Sequence, residues 1–476
     1  MNMPGAYPLS SVTATAPLPV YGTGPRSVQF VPPATAARLP WQTVGYSESG
    51  YPVQRAMSGF GPYSMASQPA CGCGPGFPGP YHPVGVSPPL ISRVPSTPPL
   101  IQPISSEVPA EVHPPANPRP ADVPPVASPE NVAALGRLLF FEAALSHPGG
   151  QSCATCHTPE AGFADPDDSL PVSRGALSDR VGSRNTPTAA YASFSPPLHY
   201  DAEGETYVGG LFLDGRASSL SEQAQGPLLN PLEMNNDDKA MVLSNLKNSG
   251  SIGAFLRVHG QSALSQSDPA SAEAACAKLA DAIAAFERSA ELNSFTSKFD
   301  ASLRGRVTLT AEESQGLELF NGKANCSACH PSTVTGSEPG PLFTDFTYDN
   351  VGIPKNQASP FLALSKDLNP DGPDFIDHGL ATTVARLDPA RAQDQDGKFK
   401  VPTLRNVGLT APYGHNGYFR TLKEIVHFYN TRDLADAKWP PAEVLATVNH
   451  EELGDLKLTD QEEDALVAFL LTLSDG

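Results

Sequence analysis

The chain of 476 residues has no apolar run long enough to cross a membrane, and ALVAFLLTL near its C-terminus is too short. It also lacks an early positive charge: the first basic residue is Arg26, so no secretory signal is visible. The net charge of −19 argues against nucleic-acid binding and suits a basic redox partner. We therefore expect neither a transmembrane segment nor a nucleic-acid partner.

Lysine is absent from residues 1–126, which contain 28 prolines, five arginines and four acidic residues. The segment has no helical or strand periodicity, so it favours extended conformations and cannot easily bury a core. We interpret it as an N-terminal arm, either loose or docked along a larger assembly. Its Cys71 and Cys73 lie too close together for an easy mutual disulfide, which leaves lipidation, cross-linking to a partner and free thiols open.

The rest of the chain has few strand signals and a length that suits two domains. Amphipathic helical patterns are frequent in it, including one near 270–292 and one at the C-terminus. We predict a mainly α protein with a proline-rich arm over 1–126, a first domain over 127–300 and a second over 301–476.

A capped helix is predicted before each of two similar cysteine motifs. Ser128 is the expected cap of the first helix, and Thr310 with Glu313 forms a capping box at the second. Cys276, in the helical run AEAACAKLADAIAAFERS, is expected to be a buried apolar residue.

The two motifs are CATCH at 153–157 and CSACH at 326–330. A Cys-x-x-Cys pair alone is also found in zinc sites and redox dithiols, but a histidine directly after the second cysteine is typical of c-type haem attachment. Two copies indicate two covalent haems, each with one histidine on the iron. The predicted haem-binding residues are Cys153, Cys156, His157, Cys326, Cys329 and His330.

A series of motifs then resembles the bacterial dihaem cytochrome c peroxidases and their MauG-type relatives. In family order they are LGRLLFFEAALS, SCATCH, GFADP, SRNTPT, DGRASSLSEQAQGPLLNPLEM, AIAAFERS, GLELFNGKANCSACH and KVPTLRNVGLTAPYGHNG. The resemblance covers about residues 128–475. It implies two cytochrome c-like domains, each with one covalent haem, and a calcium ion between the haems.

The resemblance also implies an open first haem. Family peroxidases carry a histidine in the loop after the first motif, whereas residues 158–198 contain none here. Gln223, Pro227 and Glu233 match the distal-pocket residues of MauG-like enzymes. A carboxylate there can move a proton between the two oxygens of hydrogen peroxide. Without the resemblance, Glu233 would be interpreted as a solvated surface acid.

The second haem is expected to have a tyrosine ligand. Family peroxidases place a methionine fourteen residues after the histidine that is His415 here, and that position is Tyr429. No methionine follows Met241, and MauG-type enzymes have a ligating tyrosine at this position. The alternative is that Tyr429 packs in the core, because it shares a helix face with Leu422 and Val426.

One family position differs from the pattern. The tryptophan that normally lies between the haems is replaced by Leu213, and neither of the chain's two tryptophans matches its place. Phe212 or Tyr207 is a candidate substitute. The change weakens the expectation of fast charge sharing between the haems.

The implied calcium ligands are Asn185, Thr410 and Pro412. Oxygen ligands suit calcium, which is a hard cation. From the sequence alone, these are also ordinary turn residues.

The first functional hypothesis is a MauG-like oxidoreductase that uses hydrogen peroxide to oxidise a protein or redox partner. A second is a cytochrome c peroxidase supplied with electrons by a small cytochrome or cupredoxin. A third, of another class, is an electron-transfer or structural subunit docked through its arm. Since haem is attached to such motifs outside the cytoplasm, we expect a periplasmic or otherwise exported protein.

Overall fold

A computed structural model describes residues 131–264 and 268–476. The arm predicted over 1–126, with Cys71 and Cys73, lies outside the described residues. The described part is helical with few strands, as the sequence indicates. Its α-helices are α1 Val132–Phe140, α2 Cys153–Cys156, α3 Leu220–Leu229, α4 Lys239–Lys247, α5 Ile252–His259, α6 Pro269–Glu287, α7 Lys298–Leu303, α8 Ala311–Asn321, α9 Leu380–Leu387, α10 Leu422–Thr431 and α11 Asp460–Leu471.

Four short strands form two antiparallel pairs. Strand β1 (His199–Asp201) pairs with β2 (Thr206–Val208), and β3 (Tyr348–Asp349) pairs with β4 (Phe399–Lys400). Long loops and short 3-10 helices connect most of the elements.

Side-chain caps fix several helix starts. Thr310 accepts a hydrogen bond from the Glu313 backbone at the start of α8, and the expected capping box is confirmed. The expected cap at Ser128 is wrong: α1 begins at Val132, and the Asn131 side chain accepts from the Ala134 backbone at 2.7 Å. Asparagine caps as well as serine does, and this one lies directly before the apolar face.

Two apolar clusters form the interior. The larger one is built mainly from α1, α3, α4, α5 and α6. Its residues lie between Leu135 and Phe295, and Leu342 joins them. The other draws on α8, α10 and α11 and runs from Phe299 to Leu473. Cys276 is 2% exposed in the larger cluster, as predicted.

The same helix crossing occurs once in each cluster. A β-carbon built on Gly136 of α1 would lie 1.7 Å from the carbonyl oxygen of Ala282 in α6. One built on Gly316 of α8 would lie 1.9 Å from the carbonyl oxygen of Ala465 in α11. Only a residue without a side chain allows the backbones to approach this closely.

Aromatic pairs flank both crossings in matching positions. Phe140 and Phe286 have ring centroids 5.3 Å apart, with an interplanar angle of 64°. Phe320 and Phe469 are 5.2 Å apart, with an angle of 62°. Edge-to-face rings of this kind add about 0.5–1.5 kcal/mol to the burial of their area. The α1–α6 and α8–α11 pairs are therefore two copies of one packing unit.

Replacing Gly136 or Gly316 by alanine should lower the free energy of unfolding by about 3 kcal/mol, since the added methyl group overlaps a backbone carbonyl. Urea unfolding followed by circular dichroism measures the change. The control is Gly253→Ala on the exposed side of α5, where the nearest atom to a β-carbon is an Arg257 side-chain nitrogen at 3.4 Å. That variant should match or slightly exceed the wild type; equal stability of all three variants would contradict the packing described.

Candidate active site

The first cysteine motif forms the short helix α2. Its start is fixed by the Ser152 backbone N–H, which donates to the Thr155 hydroxyl at 2.9 Å. Cys153 and Cys156 carry free thiols, and burial raises the pKa of each to about 12. Cys326 and Cys329 of the second motif are likewise free, and burial raises their pKa to about 12.

The two motif histidines have the same arrangement. Nδ1 of His157 donates to the Phe163 carbonyl at 3.0 Å, and Nδ1 of His330 donates to the Phe343 carbonyl at 2.8 Å. Burial lowers the pKa of both rings, that of His330 to about 4. Each neutral ring then carries its lone pair on Nε2, which is the nitrogen a metal requires. The donor set therefore fits iron bound by one histidine per motif.

The predicted distal residues lie on α3 and directly after it. Gln223 and Pro227 are four residues apart, so they share a face of the helix. Glu233 follows, and its Oε1 accepts from the Asn230 side chain at 2.8 Å. Burial raises the pKa of Glu233, while the charge of Arg216 lowers it.

Glu233 lies near the first cysteine motif. Its charge raises the pKa of both Cys153 and Cys156, although burial is the larger cause in each case. The structure thus brings a partly buried carboxyl group, whose pKa is raised, near CATCH. A solvated surface position for Glu233 does not agree with this placement.

Tyr429 lies near the second motif in the same way. It is in α10, whose start is fixed by a capping box of Thr421 and Glu424. Burial raises the pKa of Tyr429, and the charges of Cys326 and Cys329 raise it further. The phenol is therefore close to CSACH.

The predicted calcium residues come from two segments that meet. The Asn185 backbone N–H donates to the His415 carbonyl at 2.8 Å, three residues from Pro412. The Asn185 side chain donates to the Pro171 carbonyl at 3.2 Å. The Thr410 hydroxyl donates to the Val407 carbonyl at 3.4 Å. The structure brings the segments together, and the ion itself stays a prediction.

A buried ion network beside these segments was missed from the sequence. Arg184 donates to Asp214 at 2.7 Å and to both oxygens of Asp377 at 2.7 and 2.8 Å. Asp214 also pairs with Arg216 at 2.8 Å, and Arg216 lies 3.5 Å above the centre of the Phe212 ring. Arg184 lies in the motif SRNTPT, and Asp214 and Arg216 lie in DGRA. No sequence pattern near these motifs predicts that Asp377 pairs with Arg184.

Leu213, at the usual tryptophan position, lies beside this network. Its carbonyl accepts from the Lys400 backbone at 2.9 Å, and its neighbour Phe212 is covered by Arg216. No indole lies at this point, and the phenyl ring next to it is covered by a guanidinium group.

Comparisons with known proteins agree with this site. A model of the di-haem cytochrome c peroxidase family matches residues 130–308. Methylamine utilization protein MauG of Paracoccus denitrificans (strain Pd 1222) is 40% identical over 359 residues, which is 72% of this chain and 88% of that protein. The chain belongs to the di-haem cytochrome c peroxidase family.

Other relatives come from both branches of this family. Cytochrome-c peroxidase IdrP1 of Denitromonas iodatirespirans is 30% identical over 352 residues, covering 72% of this chain and 81% of that protein. The crystal structure of the diheme peroxidase BthA from Burkholderia thailandensis E264 has a TM-score of 0.65 at 35% identity, covering 72% of this chain and 86% of that one.

Membership establishes the coarse chemistry of the di-haem protein. It is an oxidoreductase of a peroxide-using family, with two haem groups as cofactors. The structural role within the third hypothesis, that of an electron-transfer or structural subunit, is therefore not supported. None of the helices in the described ranges is long and apolar enough to cross a membrane.

Replacing Arg184 by leucine should destabilise the protein by about 3–5 kcal/mol, because it leaves the buried carboxylates of Asp214 and Asp377 without a shared partner. Urea unfolding measures the effect. The matched control is Arg174→Leu, in an exposed pair with Asp167 at 3.7 Å, which should cost less than about 1 kcal/mol. Similar losses in both variants would mean that the buried network has no special role.

Proposed function

We propose that this protein is a MauG-like oxidoreductase. It reacts with hydrogen peroxide at a first haem and passes oxidising equivalents, with a second haem, to a redox partner or protein substrate. The observation that supports this most is the asymmetry of the two motifs, with the Glu233 carboxyl beside one and the Tyr429 phenol beside the other. The residues proposed to hold the haems are Cys153, Cys156, His157, Cys326, Cys329, His330 and Tyr429.

Bound haem supplies the iron at which peroxide is reduced, and the chain supplies the proton chemistry. Burial raises the pKa of Glu233, so this carboxyl exchanges a proton nearer neutral pH than a surface acid does. The Asn230 amide fixes one of its oxygens at 2.8 Å. Glu233 can thus take a proton from one peroxide oxygen and return it to the other. We assign Gln223 to orienting peroxide and Pro227 to shaping the pocket wall.

Tyr429 is proposed as the second axial ligand of the second haem. Its surroundings favour the protonated phenol, and a ferric iron is the positive charge that reverses this preference. A phenolate is a hard anionic ligand that stabilises oxidised iron, and axial-ligand identity is a main control of haem potential.

A second candidate function is a cytochrome c peroxidase that takes electrons from a small cytochrome or cupredoxin. Leu213 favours it, because an aliphatic side chain is a poor relay between the haems. The net charge of −19 also suits a basic electron donor. Rapid turnover with such a donor would favour this candidate, whereas oxidation of a protein side chain would favour the first.

Several finer features are part of the proposal. We place a calcium ion at Asn185, Thr410 and Pro412, supported by the contact between their segments. Two cytochrome c-like domains, over 127–300 and 301–476, are supported by the two apolar clusters. Covalent haem attachment implies an exported, periplasmic protein. Residues 1–126 are proposed as a docking arm.

Low-temperature EPR of the ferric protein should show one high-spin signal from the open first haem and one low-spin signal from the Tyr429-ligated haem. Tyr429→Phe should convert the low-spin signal to high spin, because its ligand is removed. The control is Tyr418→Phe, a partly buried tyrosine nearby, which should leave both signals unchanged. Two low-spin signals in the wild type would contradict an open first haem.

Glu233→Gln should slow the reaction with peroxide by about 10²- to 10⁴-fold, since the amide cannot exchange the proton. A base must be deprotonated to act, so the wild-type rate should rise with pH through a pKa above the ordinary carboxyl range. This rise should disappear in the variant. Stopped-flow absorbance measures both, with Glu203→Gln in an exposed turn as the control. An unchanged rate in Glu233→Gln would remove this residue from the mechanism.

A further inference from the structure

The two helix crossings align the two haem-motif units residue by residue. Gly136 corresponds to Gly316 and Ala282 to Ala465, since each pair makes the same backbone approach. Phe286 corresponds to Phe469, because each stacks on the phenylalanine four residues after the glycine. The next residue is Glu287 at the end of α6, and its counterpart in α11 is Leu470. A carboxyl group thus stands in the first unit where the second has an apolar side chain.

Glu287 is an unusual residue for its environment. It is 6% exposed, and its Oε2 atom is buried without a hydrogen-bond partner in the described part of the chain. Its backbone carbonyl accepts from the Asn293 side chain at 2.8 Å. An unpaired polar atom of this kind costs stability, so packing alone does not explain it. Leucine at the matching position, 7% exposed, shows that the fold does not require a carboxyl there.

The Glu287 carboxyl lies beside the first haem motif. Of the charged groups that raise the pKa of Cys153, Glu287 has the largest effect, followed by Cys156 and Glu233. In the second unit the corresponding thiol, Cys326, has no such charged neighbour: burial alone raises its pKa. Cys153 therefore has two nearby acids, Glu287 and Glu233, whereas Cys326 has none among the described residues.

Few charged groups face this carboxyl. Arg288, the next residue, lowers the pKa of Glu287, whereas burial raises it to about 8. The Cys153 thiol of α2 faces the Glu287 carboxyl, and the charge of Glu233 also raises the pKa of this thiol. The charged residue of α1, Arg137, pairs with Glu291 at 2.9 Å. Glu287 is thus mainly protonated at neutral pH and can ionise in a mildly alkaline solution.

We propose that Glu287 exchanges a proton with solvent when the first haem gains or loses an electron. The inference rests on the proposed attachment of that haem to Cys153 and Cys156. One electron from the reduced partner protein adds negative charge at the haem, and one proton from water binds the Glu287 carboxylate. When the haem later gives up that electron, one proton leaves the carboxyl group for water, so each electron is matched by one proton. Leu470 cannot do this, so the second unit has no proton-exchanging group at this position of the repeated fold.

The test is a redox titration of the full-length di-haem protein between about pH 6 and pH 10, with each haem followed by its own EPR signal. An ionised carboxylate stabilises the oxidised, more positive state, so the first-haem midpoint potential should fall as pH rises. A tenfold difference in proton affinity between the redox states corresponds to about 59 mV. Removing Glu287 should leave the pH dependence of the second-haem potential unchanged.

Two variants identify the group. One variant is Glu287→Gln, and the other is Glu287→Leu, which introduces the residue type of Leu470 in the second unit. In both, the first-haem potential should keep its low-pH value over the whole pH range. The control is Glu291→Gln, at an exposed position four residues after Glu287. This variant should show the same pH dependence of the first-haem potential as the wild type. A pH-independent first-haem potential in the wild type overturns the inference, as does an unchanged pH dependence in either variant. If both variants misfold, a wild-type first-haem potential that does not change with pH still overturns the inference.

Failure of the proposed function gives a different result. If no haem stays bound to the chain after denaturation, covalent attachment at Cys153 and Cys156 is wrong. If haem stays bound but the midpoint potential of the first haem does not change with pH, only the proposed role of Glu287 is wrong.

Discussion

The close approach of a glycine to a backbone carbonyl, once in each half of the described chain, is the constraint on which the other features depend. Gly136 lets α1 lie against Ala282 of α6, and Gly316 does the same for α8 and α11. Because each cysteine motif follows its glycine helix after a short connection, the crossing limits where the motif can lie. It also brings the end of α6, with Glu287, beside Cys153.

The two halves share this packing but differ in the chemical groups beside their motifs. The first motif has two acids near it, Glu233 and Glu287, and burial raises the pKa of both. The second has the Tyr429 phenol together with Asp345 and Asp349. In the proposed function, the Glu233 carboxyl serves a reaction that consumes protons, and the phenol serves an iron that stays oxidised. The proposed roles of the two haems thus differ because of a few side chains on a repeated scaffold.

The sequence predicted features that depend on neighbouring residues and missed those that depend on distant ones. The capping box of Thr310 and Glu313 was predictable because both partners lie within one helical turn. The first cap was misplaced, since Ser128 and Asn131 are both good caps and only the observed helix start separates them. The proximity of Glu233 to the first motif required the family resemblance, because 75 residues, including β1, β2 and α3, lie between it and His157. Nothing local marked Glu287 as buried and unpaired.

The Arg184 network has a mechanical consequence. Arg184 and Asp214 come from the chain before the second motif and Asp377 from the chain after it, so a hinge motion that separates these segments must expose or orphan buried charges. This joint therefore resists movement of these segments of the kind that many enzymes use to enclose a substrate.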